Sequence, residues 1–352
     1  MKREEWIDLA KGVAILLVVL GHVINSYIVS GEFNKYISYT QYVHFTIYCF
    51  HMPLYFALSG YLYSKSKEVC NISEYKSGVL KKTIALGIPY IVFSLMQGSI
   101  QVLLSQFTHN HIKFSSLMHI LTQPILQFWF IYTLLFIFIL VPLLEMIIKS
   151  DKFVFLLLIT IKIVSFFIIT NIIAIDTFSQ YAIYFYAGKI LCEYYNGILT
   201  NKPLLIKSSV CYFVLNVLCY FCFKDIYNIQ IVRCFAIIML AILGSALIMY
   251  LVIYPIAKTK VIKKYVLIMG IYSFEIYIFH IIFSYGMKTV LLKLNVQSLS
   301  IHLVLDTLIG IIIPIVIALI AKRIPFIYYM IYPNKFFKKK REYTNQYSPI
   351  VK

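Results

Sequence analysis

Apolar runs of about twenty residues recur along this chain, and no other feature constrains its fold as much. A helix needs roughly twenty apolar residues to cross the hydrocarbon of a bilayer. Ten such runs are read at 10–30, 41–63, 83–105, 124–148, 153–174, 178–195, 204–223, 229–255, 264–287 and 301–322. Lipid offers backbone amides and carbonyls no hydrogen-bond partners, so spans of this kind fold as helices. The composition agrees, with 61% of residues hydrophobic and 13% charged, against about 25% charged in an ordinary soluble domain. The expected fold is all-α and integral to the membrane: a bundle of about ten transmembrane helices over residues 1–325, followed by a basic cytoplasmic tail at 326–352. The loops are short and the tail is too small for a core, so no fused soluble domain is expected. No small-residue cleavage site follows the first run, which is therefore read as a retained helix rather than a signal peptide.

The formal net charge of +18 suggests nucleic acid only until its distribution is considered. With the N-terminus in the cytoplasm, 25 basic residues fall on the inner side and 6 on the outer, with Lys162 left inside the fifth run. That asymmetry is the positive-inside pattern of a multi-pass protein with both termini cytoplasmic. A minor contribution from anionic lipid is compatible with it, and no nucleic-acid partner is implied. The seven cysteines are scattered, and Cys219-Tyr220-Phe221-Cys222 lies in an apolar run without a second pair, which reads as small buried hydrophobes. Asn71-Ile72-Ser73 matches a glycosylation string but falls in a cytoplasmic loop, where it is silent. No phosphate-binding loop, dinucleotide fingerprint or metal-ligand spacing is present.

The first helix carries the costliest residues. It begins Trp6-Ile7-Asp8-Leu9-Ala10-Lys11-Gly12 and holds His22 in mid-run. Ionisable groups inside a membrane are expensive and point to function. Lys11 and His22 are eleven residues apart, about three turns or roughly 16 Å along one helix face, and Asp8 lies one turn before Lys11 on the same stripe. Counted by depth, His22, His51, Glu275 and Lys162 fall near the bilayer middle, and His280 lies further toward the outside. Arg233, His44, His302 and Asp306 sit close enough to the outer boundary to snorkel. Each has a structural alternative. For His51, which precedes Met52-Pro53, it is a hydrogen bond to a carbonyl freed by the proline; for Glu275, His280 and Lys162 it is a structural pairing with a group on another helix; for Trp129 it is an interfacial or core aromatic.

Trp6-x-Asp8-x-x-Lys11-Gly12 with His22 eleven residues on resembles the opening helix of the integral-membrane acyltransferase-three family, whose members acylate cell-surface sugars. Three further segments are similar to that family: Phe50-His51-Met52-Pro53-Leu54-Tyr55-Phe56-Ala57-Leu58-Ser59-Gly60-Tyr61, Phe128-Trp129-Phe130-Ile131-Tyr132, and Tyr272-Ser273-Phe274-Glu275-Ile276-Tyr277-Ile278-Phe279-His280. The resemblance covers residues 3 to 325, and the family's ten helices agree with the count above. Where members often carry an Arg-x-x-Arg pair before a proline, this chain has Lys81-Lys82 ahead of Pro89; lysine meets phosphate as a point charge, without arginine's fork.

The resemblance implies an O-acyltransferase in the bacterial cytoplasmic (inner) membrane. It would move an acyl group, acetyl by default, from cytoplasmic acyl-CoA to a hydroxyl of a cell-surface or lipid-linked polysaccharide. His22, Asp8 and Lys11 are the implied catalytic residues, with His22 as general base or transient acyl carrier. Lys81 and Lys82 are implied to bind the acyl donor, and His51, Trp129, Glu275 and His280 to line a pore or acceptor site. No metal and no permanently bound cofactor is implied; acyl-CoA is a substrate, and polysaccharide-synthesis machinery is a possible partner. Two other classes fit a polar stripe in a helix bundle: a polysaccharide exporter or flippase, and a non-catalytic membrane sensor.

Overall fold

The computed structural model describes residues 4–66, 71–103, 114–194, 196–222 and 229–336. All secondary structure among them is helical. The principal helices are α1 (Glu5–Ser30), α2 (Ile37–Tyr48), α3 (His51–Ser64), α4 (Ile72–Leu103), α5 (Leu126–Ile148), α6 (Asp151–Val164) and α7 (Ile173–Tyr194). They are followed by α8 (Lys202–Phe221), α9 (Gln230–Ile256), α10 (Lys260–Ile271), α11 (Ser273–Lys293), α12 (Leu299–Ala321) and the short α13 (Pro325–Ile331). Cys70, Lys67, Lys113, Lys224 and the tail from residue 337 lie outside the described residues, as does the side chain of Cys222.

Seven of the described helices, α1, α4, α5, α8, α9, α11 and α12, are long and apolar enough to cross a membrane. Their outward faces are apolar as well. On α12, Ile301, Val304, Leu308 and Ile312 are all exposed and recur at helical spacing, a surface that suits lipid and not water. The chain is a membrane protein.

Four of the ten expected runs take other forms. The run at 41–63 is two helices broken at Cys49–Phe50. Pro53, in the first turn of α3, has no amide to donate to Cys49, which favours a break at this point. The run at 153–174 ends as a helix at Val164, after 14 residues. The run at 178–195 lies within α7, where Asp176, Lys189, Glu193 and several tyrosines dilute the apolar character. The run at 264–287 is also divided. Tyr272 (φ −101°, ψ 18°) separates α10 from α11, which sets Glu275 in the first turn of α11, where the helix dipole favours a carboxylate.

The chain divides into two compact units. The first holds residues 1–68, 150–171 and 175–315. At its centre is α1, in contact with α2, α3, α9, α10 and α11. Leu9, Ala10, Ala14, Leu54, Leu58, Leu240 and Val252 share its core. One very close approach is between α1 and α10. A Cβ on Gly12 would meet the Val266 carbonyl oxygen at 2.0 Å, and one on Gly270 would meet that of Asp8 at 1.7 Å. Two backbones touch where only glycine fits, the small-residue packing of membrane helices. Gly60 on α3 and Gly188 on α7 make a second such contact.

The second unit holds residues 69–149, 172–174 and 316–352. Here α4 packs on α5, and Gln97 and Gln127 exchange side-chain hydrogen bonds of 2.9 and 3.3 Å in its interior. Asn71 caps α4 by accepting from the Glu74 amide at 2.9 Å, which gives the Asn71-Ile72-Ser73 string a local structural role.

Candidate active site

The N-terminal end of α1 is a cluster of charge and aromatic rings. Lys11 Nζ lies 3.8 Å from Asp8 Oδ1. Glu4 forms an ion pair with Lys65 and accepts from the Trp6 indole at 2.9 Å. Trp6 sets its ring edge-on to Tyr61 at 4.9 Å. Lys263 reaches Glu5 at 2.6 Å. These groups border a cavity of about 460 Å³ lined by Glu4, Asp8, Lys11, Lys65 and Ser273. The Tyr55 hydroxyl donates to the Lys11 carbonyl at 3.2 Å, which ties α3 to this turn.

Three turns further along α1, His22 meets other rings. Its imidazole centre lies 5.2 Å from that of His280 on α11 and 6.5 Å from the Tyr48 ring on α2. Tyr48 in turn sits 4.7 Å from His51 and stacks on His44 at 3.7 Å. Thus α1, α2 and α3 bring three histidines around one tyrosine, and α11 adds His280 against His22. His280 Nδ1–H donates to the carbonyls of Ile276 and Tyr277 at 3.0 and 2.9 Å. His51 Nδ1–H donates to the Ile47 carbonyl at 2.9 Å. In a neutral ring, that bond fixes the proton on Nδ1 and leaves a lone pair on Nε2. The carbonyl that His51 meets is Ile47's, at the end of α2, rather than Cys49's, which Pro53 frees. His22 is half-buried, and its described contacts are ring contacts only, so its nitrogens remain open to a ligand.

Glu275 and His280 are both buried on α11. Lys81, Lys82 and Trp129 belong to the second unit. There Lys81 is exposed, and Lys82 places its ammonium 3.7 Å above the Phe138 ring. Both lysines immediately precede a π-helical turn at Thr83–Gly87. Trp129 opens the α-helical part of α5, and its carbonyl accepts from Thr133 at 2.8 Å.

Several residues depart from the sequence expectation. His302 and Asp306 are buried rather than snorkelling. The Tyr27 hydroxyl donates to Asp306 Oδ2 at 2.6 Å and lies 2.6 Å from His302 Nδ1. Lys288 donates to the Ser26 carbonyl and the Ser30 hydroxyl, each at 2.8 Å. This network clamps the far end of α1 to α11 and α12. Among the described residues Lys162 forms no ion pair; it faces the rings of Phe166 and Tyr184 at 4.8 and 5.6 Å. His44 and Tyr48 are additions to the expected set. Their signal is present in the run at 41–63, where His44, Tyr48 and His51 recur at i, i+4 and i+7 on one helical stripe.

A second cavity, of about 550 Å³, opens beside this ring cluster and is lined in part by His44, Tyr48, Lys162 and Tyr184. Among the described residues, no group of three or more His, Cys, Asp or Glu side chains is arranged to hold a metal ion.

Residues 4–323 match a family model described as an acyltransferase domain. A nodulation protein NolL of Mesorhizobium japonicum is 29% identical over 140 residues, which is 40% of this chain and 35% of that protein. NolL of Sinorhizobium fredii is 44% identical over 63 residues, 18% of this chain and 16% of the relative. This chain thus spans about a third of the length of the first relative and less of the second. No solved structure matches it.

Proposed function

Because the chain belongs to the acyltransferase-domain family, matched over residues 4–323, we propose that it is a membrane O-acyltransferase with His22 at its reacting centre. The observation that carries this reading is the half-open imidazole of His22. It stands beside His280 and Tyr48, about three turns from the Asp8–Lys11 pair. The donor is acyl-CoA from the cytoplasm, acetyl-CoA by default, and the acceptor is a hydroxyl of a cell-surface or lipid-linked polysaccharide. The protein is read as a multi-pass protein of the bacterial inner membrane, with ten crossings and both termini inside.

The chemistry follows from these groups. His22 takes the proton of the acceptor hydroxyl as its oxygen attacks the thioester carbonyl. The C–O bond forms, the C–S bond breaks, and coenzyme A leaves as its thiolate, which recovers the proton. Nucleophilic attack by His22 itself, with a transient acyl-imidazole, uses the same geometry. Lys11, oriented by Asp8, meets donor phosphates at the cavity beside it; Lys81 and Lys82, in the second unit, are proposed separately as donor-binding cations. His280, held by its two carbonyl bonds, orients the centre, and His51 and Tyr48 shape the acceptor side. Glu275, and separately Trp129 in the second unit, are the remaining residues proposed for a pore or acceptor role.

The test is transfer of labelled acetyl from acetyl-CoA to surface polysaccharide in membranes containing wild-type protein or His22→Ala. Loss of transfer at unchanged membrane abundance is expected. Retained transfer by His22→Ala overturns the assignment.

A further inference from the structure

The cavity of about 550 Å³ between α2, α6, α7 and α9 is separate from the one at Asp8 and Lys11, and its chemistry is one-sided. Lys162 and Arg233 both line it, and no carboxylate does among the described residues. Lys162 is 4% exposed. An ammonium this deep normally has a carboxylate beside it, yet its described contacts are the faces of Phe166 and Tyr184. Ring faces attract a cation but accept no strong hydrogen bond, so three N–H donors lack an oxygen. Two neighbours are in the same condition. The Tyr184 hydroxyl and His44 Nε2 are buried without a hydrogen-bond partner, and both residues line the cavity. Buried polar groups in native proteins are nearly always satisfied, so two orphaned atoms and an ammonium held by ring faces around a single space indicate a ligand that satisfies them. The wall also carries aromatic faces, Tyr48 and Tyr181 among them. The floor leads to the reacting centre, because His44 stacks on Tyr48, which neighbours His22.

We propose that this cavity is the acceptor subsite and that it selects an acceptor bearing an oxyanion, a sugar carboxylate or a sugar phosphate, seated on Lys162 with Tyr184 and His44 donating to it. The proposal rests on the acyltransferase reading for the word acceptor; the anion site itself rests on the cavity alone. With the anion anchored at Lys162, a hydroxyl elsewhere on the same glycan extends past Tyr48 toward His22. Neutral glycans lack the group that the three donors require.

The experiment is calorimetric titration of the full-length chain in lipid nanodiscs with three probes: a glucuronate-containing trisaccharide, N-acetylglucosamine 1-phosphate, and neutral chitotriose. At least one anionic probe should bind tenfold or more tightly than chitotriose. Whichever does so identifies carboxylate or phosphate as the group recognised. Lys162→Met should remove that preference, Lys162→Arg should retain most of it, and Tyr184→Phe should weaken the anionic probe about threefold. Equal binding of all three probes to wild type, or an undiminished preference in Lys162→Met, overturns the proposal. If Lys162→Met fails to fold, the paired variant Tyr184→Phe/His44→Ala gives the same reading, and an unchanged anion preference in it is equally fatal. Release of coenzyme A from acetyl-CoA is measured on the same nanodiscs. Anion preference with no release on any acceptor overturns the transferase reading and leaves the anion site standing; release without anion preference does the reverse.

Discussion

At the scale of single residues, the centre is built from imidazoles that differ in how they are held. His280 and His51 each donate Nδ1–H to a helix carbonyl, which fixes both rings. Among the described residues His22 has no such tether, which suits the proton exchange proposed for it. Replacing His280 with alanine therefore leaves His22 present but loosely placed. The expected result is a fall in kcat of ten- to a hundredfold with KM for acetyl-CoA nearly unchanged, because positioning acts on the chemical step. A rise in KM alone would place His280 in donor binding instead. Lys11→Ala should behave in the opposite way. One charge-assisted contact to a donor phosphate is worth about 1.5–3 kcal/mol, so KM for acetyl-CoA should rise roughly tenfold or more, with kcat much less affected. Steady-state kinetics with acetyl-CoA varied at fixed acceptor separates the two.

At the scale of helices, glycine contacts and one carboxylate clamp set the packing. Gly12 brings the α1 backbone against Val266 on α10. Gly12→Ala forces the two helices apart and should cost about 1–3 kcal/mol, as overpacking does. Gly78 on α4 has nothing within 4 Å of its would-be Cβ, so Gly78→Ala should be neutral or stabilising by up to about 1 kcal/mol. Thermal unfolding in detergent compares the pair, and equal behaviour would disprove the close contact. The clamp is Asp151 at the start of α6. Burial opposes its ionisation, but hydrogen bonds from Lys189 at 2.7 Å, Tyr186 at 2.6 Å and Tyr194 at 2.9 Å outweigh that and hold its carboxyl down at about 2. A carboxylate whose pKa is lower in the folded state stabilises the fold fully above its unfolded value, near 4, and loses that contribution as pH falls toward 2. Wild type should therefore exceed Asp151→Asn in stability at pH 5 to 7, and the two should converge between about pH 4 and pH 2. A gap that stays constant down to pH 2 would show that the clamp is not electrostatic.

For the whole molecule, topology is the decisive property, since the proposed function, with a donor from one side and an acceptor from the other, requires α1 to connect two compartments. The basic residues Lys76, Lys258 and Lys263 and the acidic or polar Glu32 and Gln297 fall on opposite sides in the ten-crossing reading. In a cysteine-free background, cysteines introduced at Glu32 and Gln297 should react with an impermeant maleimide in intact cells. Those at Lys76 and Lys258 should react only after permeabilisation. Labelling of position 258 in intact cells would reverse or renumber the crossings and separate Lys11 from a cytoplasmic donor.

The sequence by itself determined that the chain is helical and lives in a membrane, because length and apolarity of a run are local quantities that lipid reads directly. It also singled out the stripe of Asp8, Lys11 and His22, because the period of a helix places residues along one element without knowledge of any other. It could not resolve where a run breaks. The interruptions at Cys49–Phe50 and Tyr272 are single backbone turns inside unbroken apolar stretches, and hydropathy averages over them. Only the tertiary structure decided what lies across from what. The meeting of His22 with His280, 258 positions apart in the chain, is a matter of how α1 packs on α11. The burial of Lys162 against rings rather than a carboxylate depends on which helix faces α6, and the network of Tyr27, His302 and Asp306 depends on α12 covering the end of α1. A residue's cost in lipid is written in its type, but the partner that offsets the cost is set by packing between helices distant in sequence.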